Sequence, residues 1–207
     1  LLRVEHLRVG SLPPLSFSVS NGECLAIEGP SGSGKTRILR AIADLDPVEG
    51  QVFLDGIERR ETAPLVWRQA VRYVAAEPGW WADTPRDTLP AVPGSRARVV
   101  RLLAALGLEE DMLDRPVSLL STGERQRIAL VRALVGEPKV LLLDEPTAAL
   151  DVAATALVEE LIRFQLLAGR SVLIASHDGG LIGRLADTRL QLAPPDHASN
   201  TPRTSPS

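Results

Sequence analysis

Gly29-Pro30-Ser31-Gly32-Ser33-Gly34-Lys35-Thr36 stands between an apolar run, Glu23–Glu28, and a segment, Lys35–Asp44, that sets Ile38, Ile42 and Leu45 on one helical face. Strand, glycine-rich turn and helix start, in that order, are the context in which G-x-x-x-x-G-K-[ST] acts as a phosphate-binding loop. Glycine lets the backbone curl until successive N–H groups point at phosphate oxygens. The helix start adds the positive end of its dipole. Lys35 can then reach the β- and γ-phosphates of a nucleotide, and the Thr36 hydroxyl can ligate Mg2+. Of the 23 basic residues only Lys35 and Lys139 are lysines. In a chain that uses arginine almost everywhere, a lysine here suits a site that needs a compact, flexible ammonium.

Outward from the loop, Leu2–Val9 and Leu15–Val19 alternate as strands do, and Gln51–Asp55 and Val71–Ala75 read as two more. Between residues 78 and 120 the character changes. Pro78, Pro85, Pro90, Pro93 and Pro116 punctuate the segment, whose one strong helix is Arg96–Leu106, with Val99, Leu102, Leu103 and Leu106 on one stripe. This predicts a short inserted helical lobe. Helices at Thr122–Val135, Val152–Ala168 and Gly179–Leu185 then alternate with strands at Val140–Leu143, Ser171–Ala175 and Arg189–Leu192. Apolar strands alternating with helices predict an α/β fold whose parallel sheet is covered on both faces. One domain is expected over 1–193, with 194–207 as a disordered polar tail.

The 207 residues carry a net charge of −3 and are 44% hydrophobic, with a mean hydropathy of +0.06. These values fit one globular domain with a sizeable core. Cys24 is the sole cysteine, which excludes an internal disulfide or a cysteine-built metal site, and three scattered histidines argue against zinc. No run approaches the 18 apolar residues of a membrane span. Leu1–His6 alternates and carries charge, so it reads as strand and not as a secretory leader. The near-neutral charge balance argues against nucleic acid as a partner.

Two further stretches carry chemistry. Val140-Leu141-Leu142-Leu143-Asp144-Glu145 is a buried parallel strand ending in two carboxylates at the sheet edge where ligands bind. Asp144 there can hold hydrated Mg2+, and Glu145 can orient and polarise an attacking water. Leu120-Ser121-Thr122-Gly123-Glu124 has the spacing of a helix capping box, and a capped helix start is also an anion site.

Together these motifs resemble the nucleotide-binding subunit of the ABC transporter family. The resemblance rests on the P-loop at 29–36, on Leu120–Glu124 against the LSGGE signature, and on Leu142-Leu143-Asp144-Glu145-Pro146-Thr147. It also rests on Ala149-Leu150-Asp151 in the place of the D-loop and on Ser176-His177-Asp178 in the place of the H-loop. Order and spacing match from about residue 2 to 192. The resemblance implies a P-loop NTPase with N-terminal antiparallel strands beside the parallel core. It implies two ATPase subunits, as a homo- or heterodimer, packed head to tail, each ATP lying between one P-loop and the opposing signature. Ser121 and Gly123 would then contact the γ-phosphate bound opposite, Asp151 would link the two sites, and His177 would steady the transition state. A weaker likeness, in Val66–Tyr73 and Trp80–Thr84, is to the ATPase subunits of small bacterial metal-efflux systems.

Four departures stand out. Ala76 occupies the place of the Q-loop glutamine, and the neighbouring Glu77 is the candidate substitute as a harder Mg2+ ligand. Val9 occupies the place of the aromatic that stacks on adenine, leaving apolar contact but no stacking. Thr122 replaces the signature's first glycine. The Pro13-Pro14 connection and the helical lobe are short. Trp80 and Trp81 lie where the resemblance puts the groove for the membrane subunit's coupling helix; either they form a binding surface or one packs under the lobe. The expected function is Mg·ATP hydrolysis and ATP-driven dimerisation that power a membrane-spanning permease, with the chain held at the inner face of the cell membrane by that partner. Two alternatives stay open: an ABC-type subunit that binds ATP and dimerises but hydrolyses poorly, and an ABC ATPase that serves no transporter.

Overall fold

The computed structural model describes residues 1–193; the expected tail at 194–207 lies outside them. Two sheets share the chain. The smaller is antiparallel and is built from β1 (Leu2–Arg8), β2 (Leu15–Val19), β4 (Glu49–Leu54) and β5 (Ile57–Glu58), in the order β2-β1-β4-β5. The larger is parallel and contains β3 (Cys24–Glu28), β6 (Val71–Val74), β7 (Val140–Asp144), β8 (Ser171–Ala175) and β9 (Thr188–Gln191), in the order β6-β7-β8-β3-β9. Its helices are α1 (Lys35–Ile42), α4 (Thr122–Leu134), α5 (Val152–Leu167) and α6 (Gly179–Leu185). Two more, α2 (Pro64–Ala70) and α3 (Arg96–Ala105), precede α4 in the chain.

The central strands β3, β7 and β8 are apolar on both faces because both faces are covered, whereas β9 at the sheet edge is largely exposed. On β7, Val140 and Leu142 pack with β1 and α1, through Leu2, Val4, Ile38, Leu39 and Ile42. Leu141 and Leu143 face the other way, onto Ile128, Val131 and Leu134 of α4 and Val158 and Ile162 of α5. β3, β6, β7 and β8 each therefore belong to two hydrophobic cores, while β9 meets only the first of them, through Leu190.

The segment 78–120 holds the single helix α3 and three short 3-10 turns, at Arg86–Thr88, Glu110–Asp114 and Val117–Leu119. Val99, Leu103, Leu106, Leu108 and Leu113 bury it against the α4 side of the sheet. Two elements have no counterpart in the sequence reading. One is β5, a two-residue partner of β4. The other is α2, which opens with Pro64 at its first position and is fixed by a buried Trp67 whose indole N–H donates to the Ile42 carbonyl at 2.9 Å.

Candidate nucleotide site

Strand order assembles the site. Because β3, β7 and β8 run parallel, the turns that follow them leave one edge of the sheet. The register aligns Asp144 with Ala175, and Ala175 with Ile27. At one strand spacing per step, Asp144 lies about 10 Å across the sheet from Ile27, two residues before the P-loop begins.

The loop turns as the motif requires: Gly29, Gly32 and Gly34 all adopt positive φ, at 156°, 78° and 98°. Lys35 opens α1 and curls back over the loop, donating from Nζ to the carbonyls of Gly29 at 2.7 Å and Pro30 at 3.2 Å. Ser33 is buried with no partner for its hydroxyl among the described residues. Pro30, Ser31 and Thr36 lie on the exposed rim.

Asp144 ends β7 only 4% exposed. One of its oxygens accepts the Tyr73 hydroxyl at 3.0 Å. Burial, followed by the Asp144 charge, pushes the Tyr73 phenol above its ordinary range, so it stays protonated and donating. Glu145 follows in the left-handed region, at φ 46°, with its N–H held by the Ala175 carbonyl at 2.8 Å. A non-glycine residue there costs about 1–3 kcal/mol and persists where surrounding contacts impose it. The contacts are two consecutive residues after β8. The Ser176 hydroxyl donates to Glu145 Oε2 at 3.0 Å, and His177 Nδ1 meets Oε1 at 2.9 Å. Ser176 is 1% exposed and the His177 side chain 75%. The ring thus leans on the carboxylate by one nitrogen and leaves Nε2 toward solvent. The carboxylate is anchored through both oxygens, an arrangement able to aim it at a water.

The donor set fits Mg2+. Asp144 is a buried carboxylate whose partner is a neutral phenol, and the Thr36 hydroxyl supplies a second hard oxygen. Among the described residues no three His, Cys, Asp or Glu side chains converge into a protein cage. That suits an ion that keeps waters and substrate phosphate oxygens in its shell.

Ser121 and Glu124 form the complete capping box. Glu124 N–H donates to Ser121 Oγ at 3.2 Å, and Ser121 N–H donates to Glu124 Oε2 at 2.7 Å. The Ser121 N–H holds the Glu124 carboxyl below its usual range. Thr122 is exposed, and its hydroxyl accepts from Arg125 at 3.2 Å. Gly123 packs beside Ala149 and Leu150, which joins the signature turn to the D-loop position. Asp151 caps α5, accepting the Ala154 N–H at 2.8 Å.

Several site features were not legible in the sequence. Tyr73 and the Ser176 hydroxyl act over 71 and 31 residues of separation, which no local pattern signals. Gln126, 1% exposed on α4, lies 3.5 Å from the Ala75 carbonyl with its own amide oxygen unpartnered. It thereby ties the signature helix to the loop where Ala76 stands. One expectation is overturned. Val9 is 5% exposed and belongs to the core around Leu7, Ile27 and Ile38, so it offers a nucleotide no surface. Glu77 is exposed. The two tryptophans divide the roles considered for them. Trp80 packs against the core below the lobe, Trp81 is 70% exposed, and the Arg132 guanidinium lies 4.6 Å from each ring.

The profile of the ABC transporter family matches residues 12–148. The chain belongs to the ABC transporter family. The cassette is 36% identical over 181 residues to Protein STAR1 of rice, covering 84% of this chain and 52% of the relative. It is 38% identical over 192 residues to the cobalt import ATP-binding protein CbiO of Rhodobacter capsulatus, covering 86% of this chain and 68% of the relative. The chain thus spans about half the length of the first relative and about two thirds of the second. Among solved structures, an ATP-binding cassette captured as a dimer after hydrolysis, with ADP and Pi bound, superposes with a TM-score of 0.80 at 25% identity. That match covers 93% of this chain and 94% of the other. The fold is the ABC ATPase form of the P-loop NTPases. Among the described residues no helix is long and apolar enough to cross a membrane.

Proposed function

We propose that this cassette hydrolyses ATP and that two cassettes closing on ATP drive a membrane-spanning permease. The observation that carries the reading is the Glu145 carboxylate, held through both oxygens by Ser176 and His177 on the same sheet edge as the P-loop. The backbone of residues 29–36 and Lys35 bind the triphosphate. Thr36 and Asp144 hold Mg2+, with Glu77 as a further ligand from the loop after β6. When bound, that ion would supply charge neutralisation to the triphosphate. Glu145 orients a water in line with the γ-phosphorus. A bond forms from the water oxygen to phosphorus, the bond to the β–γ bridging oxygen breaks, and ADP and phosphate result. His177 reaches the γ-phosphate through its solvent-side nitrogen.

Ser121 and Gly123 of one copy face the nucleotide on the P-loop of the other, and Asp151 connects the two sites. The permease docks where Trp81 and Arg132 border a groove of about 470 Å³ lined also by Arg72, Leu89 and Pro90. Burial, then the Arg72 charge, lowers the Arg132 guanidinium to about 10. Among the described residues neither guanidinium has a carboxylate in salt-bridge contact, though Asp87 also lines the groove, and the pair suits an anionic contact from outside. The relative CbiO is named for cobalt import; in this chain we assign cargo choice to the permease. Held by that partner, the cassette works peripherally at the inner face of the cell membrane.

The test is the mass in solution of Glu145→Gln with and without Mg·ATP, beside phosphate release by the unaltered protein. An ATP-dependent doubling of mass together with turnover in the unaltered chain is expected. A dimer without any phosphate release would instead favour a subunit that binds ATP and does not consume it. ATP bound to a persistent monomer would remove the head-to-tail site from the proposal.

A further inference from the structure

Burial of Val9 leaves open what receives the nucleoside end of the substrate. The turn after β1 lies along the P-loop: Leu12 Cδ1 is 3.0 Å from where a Cβ on Gly34 would stand. Two residues earlier, Gly10 adopts φ +59° and meets the side chain of Arg37, from the first turn of α1. Arg37 Nη1, Cζ and Nη2 lie 2.5, 3.2 and 3.4 Å from where a Cβ on Gly10 would stand. Any side chain at position 10 would therefore displace the guanidinium.

Among the described residues no carboxylate holds Arg37 there. Asp46, whose carboxyl the Arg37 charge helps hold low after Arg40, is already forked by Nε and Nη2 of Arg40, both at 2.8 Å. Arg37 is exposed. An arginine is thus seated on bare backbone at the mouth of the P-loop, its charge unpaired among the described residues. A triphosphate whose γ end points to Asp144 and Glu145 sends its nucleoside past this first turn of α1.

We infer that Arg37 is the base platform of this cassette: its guanidinium, seated on Gly10, stacks on the purine. The inference rests on the nucleotide-binding reading above. Its chemistry follows from the delocalised, weakly hydrated guanidinium plane, which adds flat stacking to the cation–π attraction that a compact ammonium can also offer.

The test compares dissociation constants for ATP and for inorganic tripolyphosphate, which lacks a base, across Arg37 variants by calorimetry. Arg37→Ala should weaken ATP about five- to tenfold, the range of a cation–π contact, and leave tripolyphosphate unchanged. Arg37→Lys keeps the charge without the plane and should recover only part of the loss; Arg37→Tyr restores a plane and should recover ATP binding. Equal weakening of both probes, or full rescue by lysine, would make Arg37 a phosphate contact and overturn the stacking assignment. Unchanged ATP binding in Arg37→Ala would overturn it outright. An unaltered chain that binds neither probe would remove the nucleotide site itself, a failure distinguishable from these because it precedes any substitution.

Discussion

Ser176→Ala isolates the support beneath the proposed base. The Ser176 oxygen accepts the Asp178 N–H at 3.1 Å, so its single proton is left for Glu145 Oε2 at 3.0 Å. A hydrogen bond to a charged group nets about 1.5–3 kcal/mol. If that is expressed where the carboxylate must hold its aim on water, kcat falls roughly ten- to a hundredfold. The same substitution loosens the turn that leads into α6, whose cap is Asp178 with its carboxylate accepting Gly180 and Leu181 N–H groups. That loss costs about 1 kcal/mol of stability and leaves the chain folded. Steady-state phosphate release over an ATP titration separates the two effects. KM should stay within about twofold, Ser176→Thr should restore kcat, and in a Glu145→Gln background Ser176→Ala should slow nothing further. An unchanged kcat, or a loss that simply adds to that of Glu145→Gln, would refute the argument.

Tyr73→Phe removes the phenol from Asp144. Loss of such an outer partner should raise the Mg2+ concentration for half-maximal turnover about tenfold, with metal-free ATP binding unaltered; an unmoved Mg2+ midpoint counts against the assignment of Asp144. Glu124 is held low by the Ser121 N–H, so its folded pKa lies below its unfolded one. Its contribution is complete above the unfolded value and is lost as pH falls through the folded one. The gap in melting temperature between the unaltered chain and Glu124→Ala should therefore be full at pH 7 and close on acidification below about 4.5; a constant gap would mean the capping box is not charge-assisted. Burial, with Asp187 and Glu23 adding, pushes the Cys24 thiol up to about 12. A thiol reagent at pH 8 should label it only in denaturant, and rapid native labelling would show β3 opening.

Local patterns carried much of the fold. Leu15–Val19, Ser171–Ala175 and Gly179–Leu185 have the bounds that alternation and helical stripes predict. The P-loop conformation follows from its glycines, and the capping box from Ser121 and Glu124 three residues apart. The strand order was not legible, because alternation tells which residues are buried and nothing of which strand lies beside which. Tyr73 reaches Asp144 because β6 neighbours β7, and Ser176 reaches Glu145 because β8 lies on the other side. α2 escaped notice because its apolar residues form no buried stripe: Leu65 and Val66 are exposed, and its anchor, Trp67, is tied to the distant Ile42 carbonyl. Val9 misled for a related reason: its position along the chain suggested the base site, but burial is decided by how the following turn folds over α1.

β7 belongs to both cores, with Val140 and Leu142 in one and Leu141 and Leu143 in the other. A strand clamped from two sides opens only when both cores open, so its amides should exchange with solvent near the limit set by global unfolding. Asp144 and Glu145 are mounted on the end of that strand. They form a fixed datum, and under the proposed function the motion of closure and release would fall to the signature turn, the lobe and whatever meets the sheet from outside.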